Sequence, residues 1–169
     1  YSYAASIIQG RAPDLLLWAS IPCTGGSPWQ RVNAVFSKDH EERLREHLAL
    51  FDKLWGAFSK LAGQALSRGC TVAIEWPQHC DYWRFQCVTD FKKKYGLEDF
   101  IINGCMYGLK SVEKPELFLK KPWIISTNNR SFGKALERVC DRGHSHTRCR
   151  GRDARHSEGY TPMLCDSIH

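Results

Sequence analysis

Residues 14–29 read DLLLWASIPCTGGSPW, an apolar run that stops at Pro22-Cys23 and two glycines. An uninterrupted apolar run bounded by turn residues is typical of a central strand in a parallel sheet. Pro22 cannot donate a ladder hydrogen bond, so it ends the strand, and Gly25 and Gly26 let the following loop approach a ligand closely. Because ligands gather at the carboxyl ends of parallel strands, we expect Cys23 to lie at a binding edge. The alternative is a structural cysteine beside a turn.

A second apolar run, CTVAIEWP at residues 70–77, predicts another buried strand, which ends on a carboxylate where the first ends on a thiol. A long amphipathic helix is predicted between the two strands. Parallel strands joined by a helix bring their carboxyl ends to the same edge of a sheet. We therefore expect Glu75 to stand near Cys23. A helix cap or an ion-pair partner is the alternative interpretation of Glu75.

The other elements continue the alternation of helices and strands. Helices are predicted over residues 2–9, from a cap at Ser37 or Asp39 to about Arg68, and over 82–95. Strands are predicted over residues 99–107 and 121–127. The Lys-rich connection between the last two strands indicates an antiparallel pair. The whole pattern predicts an α/β fold with a mainly parallel sheet and flanking helices.

Composition indicates a folded chain with one good core. The 169 residues are 43% hydrophobic, and no apolar run approaches the roughly 20 residues that span a bilayer. We therefore expect one main domain with no membrane contact. The eight cysteines are spread along a core-rich chain, which favours an intracellular, reducing compartment, with a disulfide framework as the alternative. The net charge of +6 favours a polyanionic partner.

The tail from residue 139 is poor in apolar residues and rich in Arg, so we divide the chain into an α/β part, 1–138, and a small Cys/His tail, 139–169. Zinc-type ligands follow the spacing C-x3-H-x-H-x2-C at Cys140, His144, His146 and Cys149. Two thiolates and two imidazoles can close a tetrahedral site and order a segment that has little core. The sequence therefore predicts a zinc site. A flexible basic tail and histidines of an active site are the alternatives.

Cations near the last predicted strand and in the tail are candidates for phosphate contacts. The predicted nucleic-acid-binding residues are Lys110, Lys120, Lys121, Arg148, Arg150 and Arg152.

The order of these motifs resembles the catalytic half of a DNA cytosine-5 methyltransferase. Ile21-Pro22-Cys23 resembles the loop that holds the nucleophile of that family, and Ile74-Glu75-Trp76 resembles the strand whose Glu engages the base. Tyr107-Gly108-Leu109, followed by the apolar run at 122–125, resembles the segment that completes that half. The resemblance spans about residues 14–127.

The resemblance implies a partial Rossmann-like methyltransferase architecture and a site that modifies a base. In that chemistry a thiolate, here Cys23, adds to C6 of cytosine, and a carboxyl group, here Glu75, hydrogen-bonds the ring near N3. The target base is flipped out of the duplex while a basic surface holds the phosphates. The implied partner is nucleic acid, with DNA favoured over RNA.

The family places its methyl-donor site before the Pro-Cys loop, but only 13 residues precede Asp14 here and no G-x-G-x-x-G or P-loop pattern occurs. S-adenosylmethionine is therefore expected only if an upstream segment or a second subunit supplies its site. The Tyr at residue 1 favours a piece of a longer polypeptide. Two alternatives remain open: a non-catalytic nucleic-acid-binding module of a larger, mobile-element polyprotein, and a thiol hydrolase that pairs Cys23 with a histidine such as His79.

Overall fold

A computed structural model describes residues 2–11, 14–30 and 39–169 of the chain. The strands are β1 (Leu16–Ala19), β2 (Thr71–Pro77), β3 (Glu98–Asn103), β4 (Phe118–Leu119), β5 (Pro122–Thr127) and β6 (His146–Thr147). The helices are α1 (Ser2–Arg11), α2 (His40–Leu66), α3 (Gln86–Tyr95), α4 (Arg130–Leu136), α5 (Arg152–His156) and α6 (Pro162–Ile168). Three 3-10 turns lie at Thr24–Gly26, Asp81–Arg84 and Gly104–Tyr107. No helix in the described ranges combines the length and the apolar character that crossing a membrane requires.

The main sheet is mixed rather than mainly parallel. Its order is β1-β2-β5-β3, with β1 parallel to β2 and with β5 antiparallel to both of its neighbours. The α/β fold with flanking helices is confirmed, and so is the antiparallel pairing of the last two predicted strands. The mainly parallel sheet is not confirmed. The connection from β3 to β5 makes a tight turn and the short strand β4 instead of a crossover helix, so β5 returns in the opposite direction.

The first strand was expected at the centre of the sheet, and this expectation is wrong. In the described part of the chain β1 pairs only with β2, and its four residues are half-buried. The central, buried strand is β2, where residues 72–76 are all buried. An apolar run does not by itself distinguish an edge strand from a central one when helices pack over its faces.

Helix boundaries follow the sequence pattern closely, with one exception. Helix α2 begins directly after Asp39, and Gly69 just beyond its end has a φ of 78°, the left-handed conformation that glycine accommodates. Ser37, the other expected cap, lies outside the described residues. The helix predicted over 82–95 is interrupted because Phe85 is extended, with φ of −66° and ψ of 136°, so a 3-10 turn precedes α3.

The two faces of the sheet pack against two separate apolar clusters. One face buries aromatic residues of α2, β2 and the Asp81–Arg84 turn: Phe51, Trp55, Trp76 and Tyr82. The other face buries residues of β3, β5, α4 and α6: Ile102, Trp123, Ile125, Leu136 and Leu164. Residues after 139 therefore share a core with the sheet, since Leu164 is fully buried and Ile168 packs beside it.

The loop that follows β1 is fixed to the first cluster. Trp76 Nε1 donates a hydrogen bond of 2.7 Å to the carbonyl oxygen of Ile21. At Gly26, an added Cβ would lie 2.7 Å from Cys80 Sγ and 2.8 Å from the Tyr82 ring. Only a residue without a side chain fits between the loop and this buried ring, so glycine here sets the position of Cys23.

Gly26→Ala should lower the free energy of unfolding by about 1–3 kcal/mol, because the added methyl group overpacks the contact with Cys80 and Tyr82. Urea denaturation followed by circular dichroism measures the change. The control is Gly56→Ala in α2, where no heavy atom lies within 4 Å of an added Cβ. Alanine is the better helix former, so the control should gain up to about 1 kcal/mol. A Gly26→Ala protein as stable as the wild type would contradict the seating of the loop.

Candidate functional site

Cys23 and Glu75 line one pocket at the carboxyl end of the β1–β2 pair. The pocket has a volume of about 300 Å³. It forms there because Ala19, the last residue of β1, pairs with Ile74, so the chain leaves the sheet after β1 beside Glu75, while β2 continues to Pro77. Its other lining residues include Ser20, Trp76, Lys121, Trp123, Ser157 and Glu158. The structure thus places the two predicted catalytic residues in a common cavity.

One carboxylate oxygen of Glu75 is held by two hydroxyl groups. Glu75 Oε2 accepts hydrogen bonds from Ser20 Oγ at 3.1 Å and from Tyr160 Oη at 2.5 Å. Trp18 Nε1 in turn donates to both hydroxyl oxygens, at 3.0 and 3.1 Å. The other oxygen, Oε1, is buried and has no hydrogen-bond partner in the described part of the chain. An unsatisfied buried polar atom is costly, so a ligand group that reached Oε1 would remove this cost.

Burial raises the pKa of Glu75, although the hydrogen bonds from Tyr160 and Ser20 and the charge of Lys121 oppose the shift. Glu75 therefore keeps its proton to a higher pH than an ordinary glutamic acid. Because Oε2 accepts two hydrogen bonds, a proton on the Glu75 carboxyl group would sit on Oε1. The protonated group can then donate a hydrogen bond to an acceptor in the pocket, such as a ring nitrogen.

Cys23 is half-buried beside this acid. Burial raises the pKa of its thiol, the charge of Glu75 raises it further, and the charge of Lys121 lowers it. Thiolate formation at Cys23 is consequently easier when Glu75 is protonated. The raised pKa leaves Cys23 mainly as the thiol at neutral pH, and the charge of Lys121 and protonation of Glu75 are the influences that favour its thiolate.

Lys121 stands between this pocket and a second one. Its Nζ donates to the carbonyl oxygen of Ser157 at 2.5 Å and to Ser157 Oγ at 2.9 Å. The ammonium group also lies 5.6 Å from the centre of the Trp123 ring. These contacts fix a positive charge next to Cys23, where it favours a thiolate or an anionic ligand.

The second pocket, which we call the cationic groove, has a volume of about 430 Å³ and also includes Cys23 in its lining. Three of the six predicted nucleic-acid contacts meet there: Lys120, Lys121 and Arg148. The others are not brought to the groove. Lys110 lies 5.2 Å from the Phe118 ring, and Arg150 and Arg152 are exposed elsewhere. His79 also lines the groove, but no hydrogen bond joins it to Cys23 within the described ranges.

A Cys/His cluster that can hold a metal ion lies beyond the groove. One ligand atom from each of four residues comes within 4.8 Å of the others: Cys105, Cys140, His144 and His146. Cys140 Sγ lies 3.7 Å from His144 Nε2 and 3.5 Å from His146 Nε2. Burial and the hydrogen bond with Cys140 raise the pKa of Cys105 to about 12. A bound cation would favour the thiolates, so metal binding should release protons.

The cluster differs from the sequence expectation in one ligand. Cys149 is not part of it, because its Sγ lies 3.2 Å from Ser157 Oγ and packs against the second apolar cluster. Cys105, in the turn after β3, stands in its place. Spacing within the tail could not reveal a ligand from the sheet.

Sequence reasoning also missed the hydroxyl groups that hold Glu75. Ser20 precedes the Pro-Cys motif and follows β1, so the pairing of β1 with β2 was a signal for it. Tyr160 gave no such signal, because it lies in a segment that the composition separates from the sheet.

Cys23 should react with iodoacetamide with a pH midpoint above the ordinary thiol range, since burial and the Glu75 charge both raise its pKa. Glu75→Gln removes that charge, so the midpoint should move to lower pH. Mass spectrometry of the Cys23 peptide measures the rate at each pH. Glu116→Gln, which changes an exposed carboxylate that does not line the pocket, should leave the profile unchanged. A midpoint that stays fixed or rises in Glu75→Gln would contradict the pairing of the two groups.

Comparison of the chain with protein-family models, with curated proteins and with solved structures gave no match. A function for this chain is therefore argued from the geometry of its own residues.

Proposed function

We propose that this chain is the base-binding, nucleophile-bearing portion of a cytosine-5 methyltransferase-like protein that acts on nucleic acid, DNA in preference to RNA. The observation that supports the proposal best is the pocket shared by Cys23 and Glu75, together with a buried Glu75 Oε1 that has no hydrogen-bond partner among the described residues. A thiol and a neutral acid side by side suit addition to a pyrimidine ring. The S-adenosylmethionine site would lie on another segment or subunit.

The proposed step begins when the Cys23 thiolate adds to C6 of cytosine. A bond forms between Sγ and C6, and the π electrons of the C5–C6 double bond move into the ring. Glu75 donates its Oε1 proton to N3, so the ring does not accumulate negative charge. The resulting enamine is nucleophilic at C5, where it takes a methyl group from a donor or a proton from water. Water then takes the original C5 hydrogen as a proton, the C5–C6 double bond re-forms as the C6–S bond breaks, and N3 returns its proton to Glu75, so the thiolate and the acid are both restored.

The pocket is at the small end of the range for ligand sites, which favours a single base over a larger ligand. A base stacked in a duplex cannot reach a half-buried thiol, so the target would have to be flipped out or single-stranded. The adjacent cationic groove offers the charge that such a substrate needs.

Exchange of the C5 hydrogen tests the proposal without a methyl donor, because protonation at C5 replaces methyl transfer. A single-stranded oligonucleotide with tritium at C5 of cytosine should release tritium to water when incubated with the chain. Cys23→Ser and Glu75→Gln should each lower the release by about 100-fold or more. Cys87→Ser removes an exposed thiol outside both pockets and should have no effect. Release that survives Cys23→Ser, or no release from the wild type, would contradict the proposal.

The alternative is a nucleic-acid-binding module without catalysis, which the cationic groove alone would support. Such a module would bind oligonucleotides with an affinity that falls as salt is raised, yet would release no tritium. Tritium release therefore separates the two candidates.

We also propose that the Cys/His cluster binds zinc. Two thiolates and two imidazoles form the donor set that zinc favours in closed, four-coordinate structural sites. Ligand atoms already lie within 4.8 Å of one another, so little movement is needed for them to surround an ion. The ion would join the turn after β3 to the tail.

The purified chain should contain one zinc per molecule, measured by inductively coupled plasma mass spectrometry. Cys105→Ser and Cys140→Ser should each abolish binding, because each removes one of the four ligands. Cys149→Ser should retain the metal, since its thiol contacts Ser157 instead. Loss of zinc in Cys149→Ser but not in Cys105→Ser would support the sequence-based ligand set over the structural one.

A further inference from the structure

We propose that the cationic groove is a subsite for the nucleotide next to the reactive base. A metal ion in the Cys/His cluster would control this subsite by fixing the strand that precedes Arg148. In this subsite Lys120 and Arg148 bind the phosphate, and Trp29 stacks on the flanking base. The inference rests on the proposed function for the identity of its ligand, a single-stranded or flipped nucleic acid.

The pocket that Cys23 shares with Glu75, which we call the base pocket, meets the cationic groove at Cys23, because this residue lines both cavities. A base bound against Cys23 and Glu75 would therefore have its sugar and phosphate at the mouth of the groove. Lys121 lines both cavities as well and lies at the same junction. Adjacent nucleotides in a strand need adjacent sites of this kind.

The walls of the groove suit a nucleotide. Trp29 lines it with 69% of its surface exposed, which leaves the ring available for stacking. Base–aromatic stacking is tolerant of base identity and is a common device in single-strand recognition. Pro28 and Pro122 add apolar surface beside it. None of the described residues that line the groove is acidic, so its field favours anions.

The two phosphate-binding cations are set side by side by a short parallel strand pair. Phe118 of β4 pairs with His146 of β6, and Leu119 pairs with Thr147. The next residue after each strand is a cation that lines the groove, Lys120 after β4 and Arg148 after β6. Both side chains are exposed and can close on one phosphate group.

The Cys/His cluster includes a residue of one of these two strands, β6. Strand β6 has only two residues, and the first of them, His146, is a cluster ligand. Arg148 follows two residues later, so an ion that fixes His146 also fixes the direction of Arg148. Cys105 gives the cluster its attachment to the end of β3. Glu75 is held by Ser20 and Tyr160, neither of which belongs to the cluster, so we expect its pocket to survive removal of the ion.

Binding of a fluorescein-labelled, eight-residue oligothymidylate, measured by fluorescence anisotropy, tests the subsite. This probe contains no cytosine, so it reports on the groove independently of the C5 reaction. Lys120→Gln and Arg148→Gln should each weaken binding about tenfold and reduce the slope of log K against log salt by about 0.7. Trp29→Ala should weaken binding by about tenfold without changing the slope. Lys110→Gln and Arg152→Gln, which change cations outside the groove, should bind as the wild type does.

A metal chelator tests the coupling between the cluster and Arg148. Removal of the ion should weaken oligonucleotide binding to the wild type by about the same factor as the substitution Arg148→Gln does. It should not weaken binding to the Arg148→Gln variant further, because both changes remove the same contact between Arg148 and the phosphate. The alkylation profile of Cys23 should stay unchanged, which shows that the base pocket is intact. Equal losses in the groove and control variants would overturn the subsite. A chelator that weakens Arg148→Gln as much as the wild type would overturn the coupling.

The two proposals can fail separately. Normal groove behaviour without C5 exchange would overturn the methyltransferase-like chemistry and leave a nucleic-acid subsite. Exchange that is unaffected by Lys120→Gln and Arg148→Gln, together with unchanged oligothymidylate binding, would overturn the subsite and leave the chemistry.

Discussion

The parallel pairing of β1 with β2 is the constraint on which the site depends. It places the residue after Ala19 beside the residue after Ile74, so Ser20 meets Glu75 where β1 ends. One residue further on, the indole of Trp76 binds the carbonyl oxygen of Ile21 and turns the Pro-Cys loop over the end of β2. A shift of β1 by one residue in this register would turn the side chains of β1 to the opposite face and move Ser20 away from Glu75.

The segment around Tyr160 adds a second contact to Glu75, beside the contact with Ser20 that the strand pair provides. Tyr160 donates to one oxygen of Glu75, and the other oxygen has no partner among the described residues, so the segment before α6 makes the two oxygens inequivalent. That segment is anchored in turn by Leu164 in the second apolar cluster and by the hydrogen bond from Thr161 to the carbonyl oxygen of Tyr107. The acid and its support therefore come from distant parts of the sequence, and both depend on the same core.

The features of this structure that could be predicted are those that short stretches of sequence specify. The two apolar runs, the long helix between them and the antiparallel pair near the end follow from periodicity and turn residues, and the proximity of Cys23 and Glu75 follows from strand topology. Three of the four cluster ligands follow from spacing in the tail.

The missed features are those set by contacts between distant segments. Cys105 and Tyr160 reach their sites through tertiary packing, and neither lies in a motif that identifies it. The position of β1 at the edge of the described sheet depends on which strands pair, and an apolar run does not specify its neighbours.

We propose that one pocket presents the Cys23 thiol to C6 and the protonated Glu75 carboxyl group to N3 of the same cytosine ring. A crystal structure of the chain with a short single-stranded oligonucleotide containing cytosine tests it most directly. In that complex we expect cytosine N3 to lie within hydrogen-bond distance of Glu75 Oε1, and C6 to lie within about 3–3.5 Å of Cys23 Sγ. A cytosine bound elsewhere, or one in the pocket whose C6 faces away from Cys23, would contradict the claim.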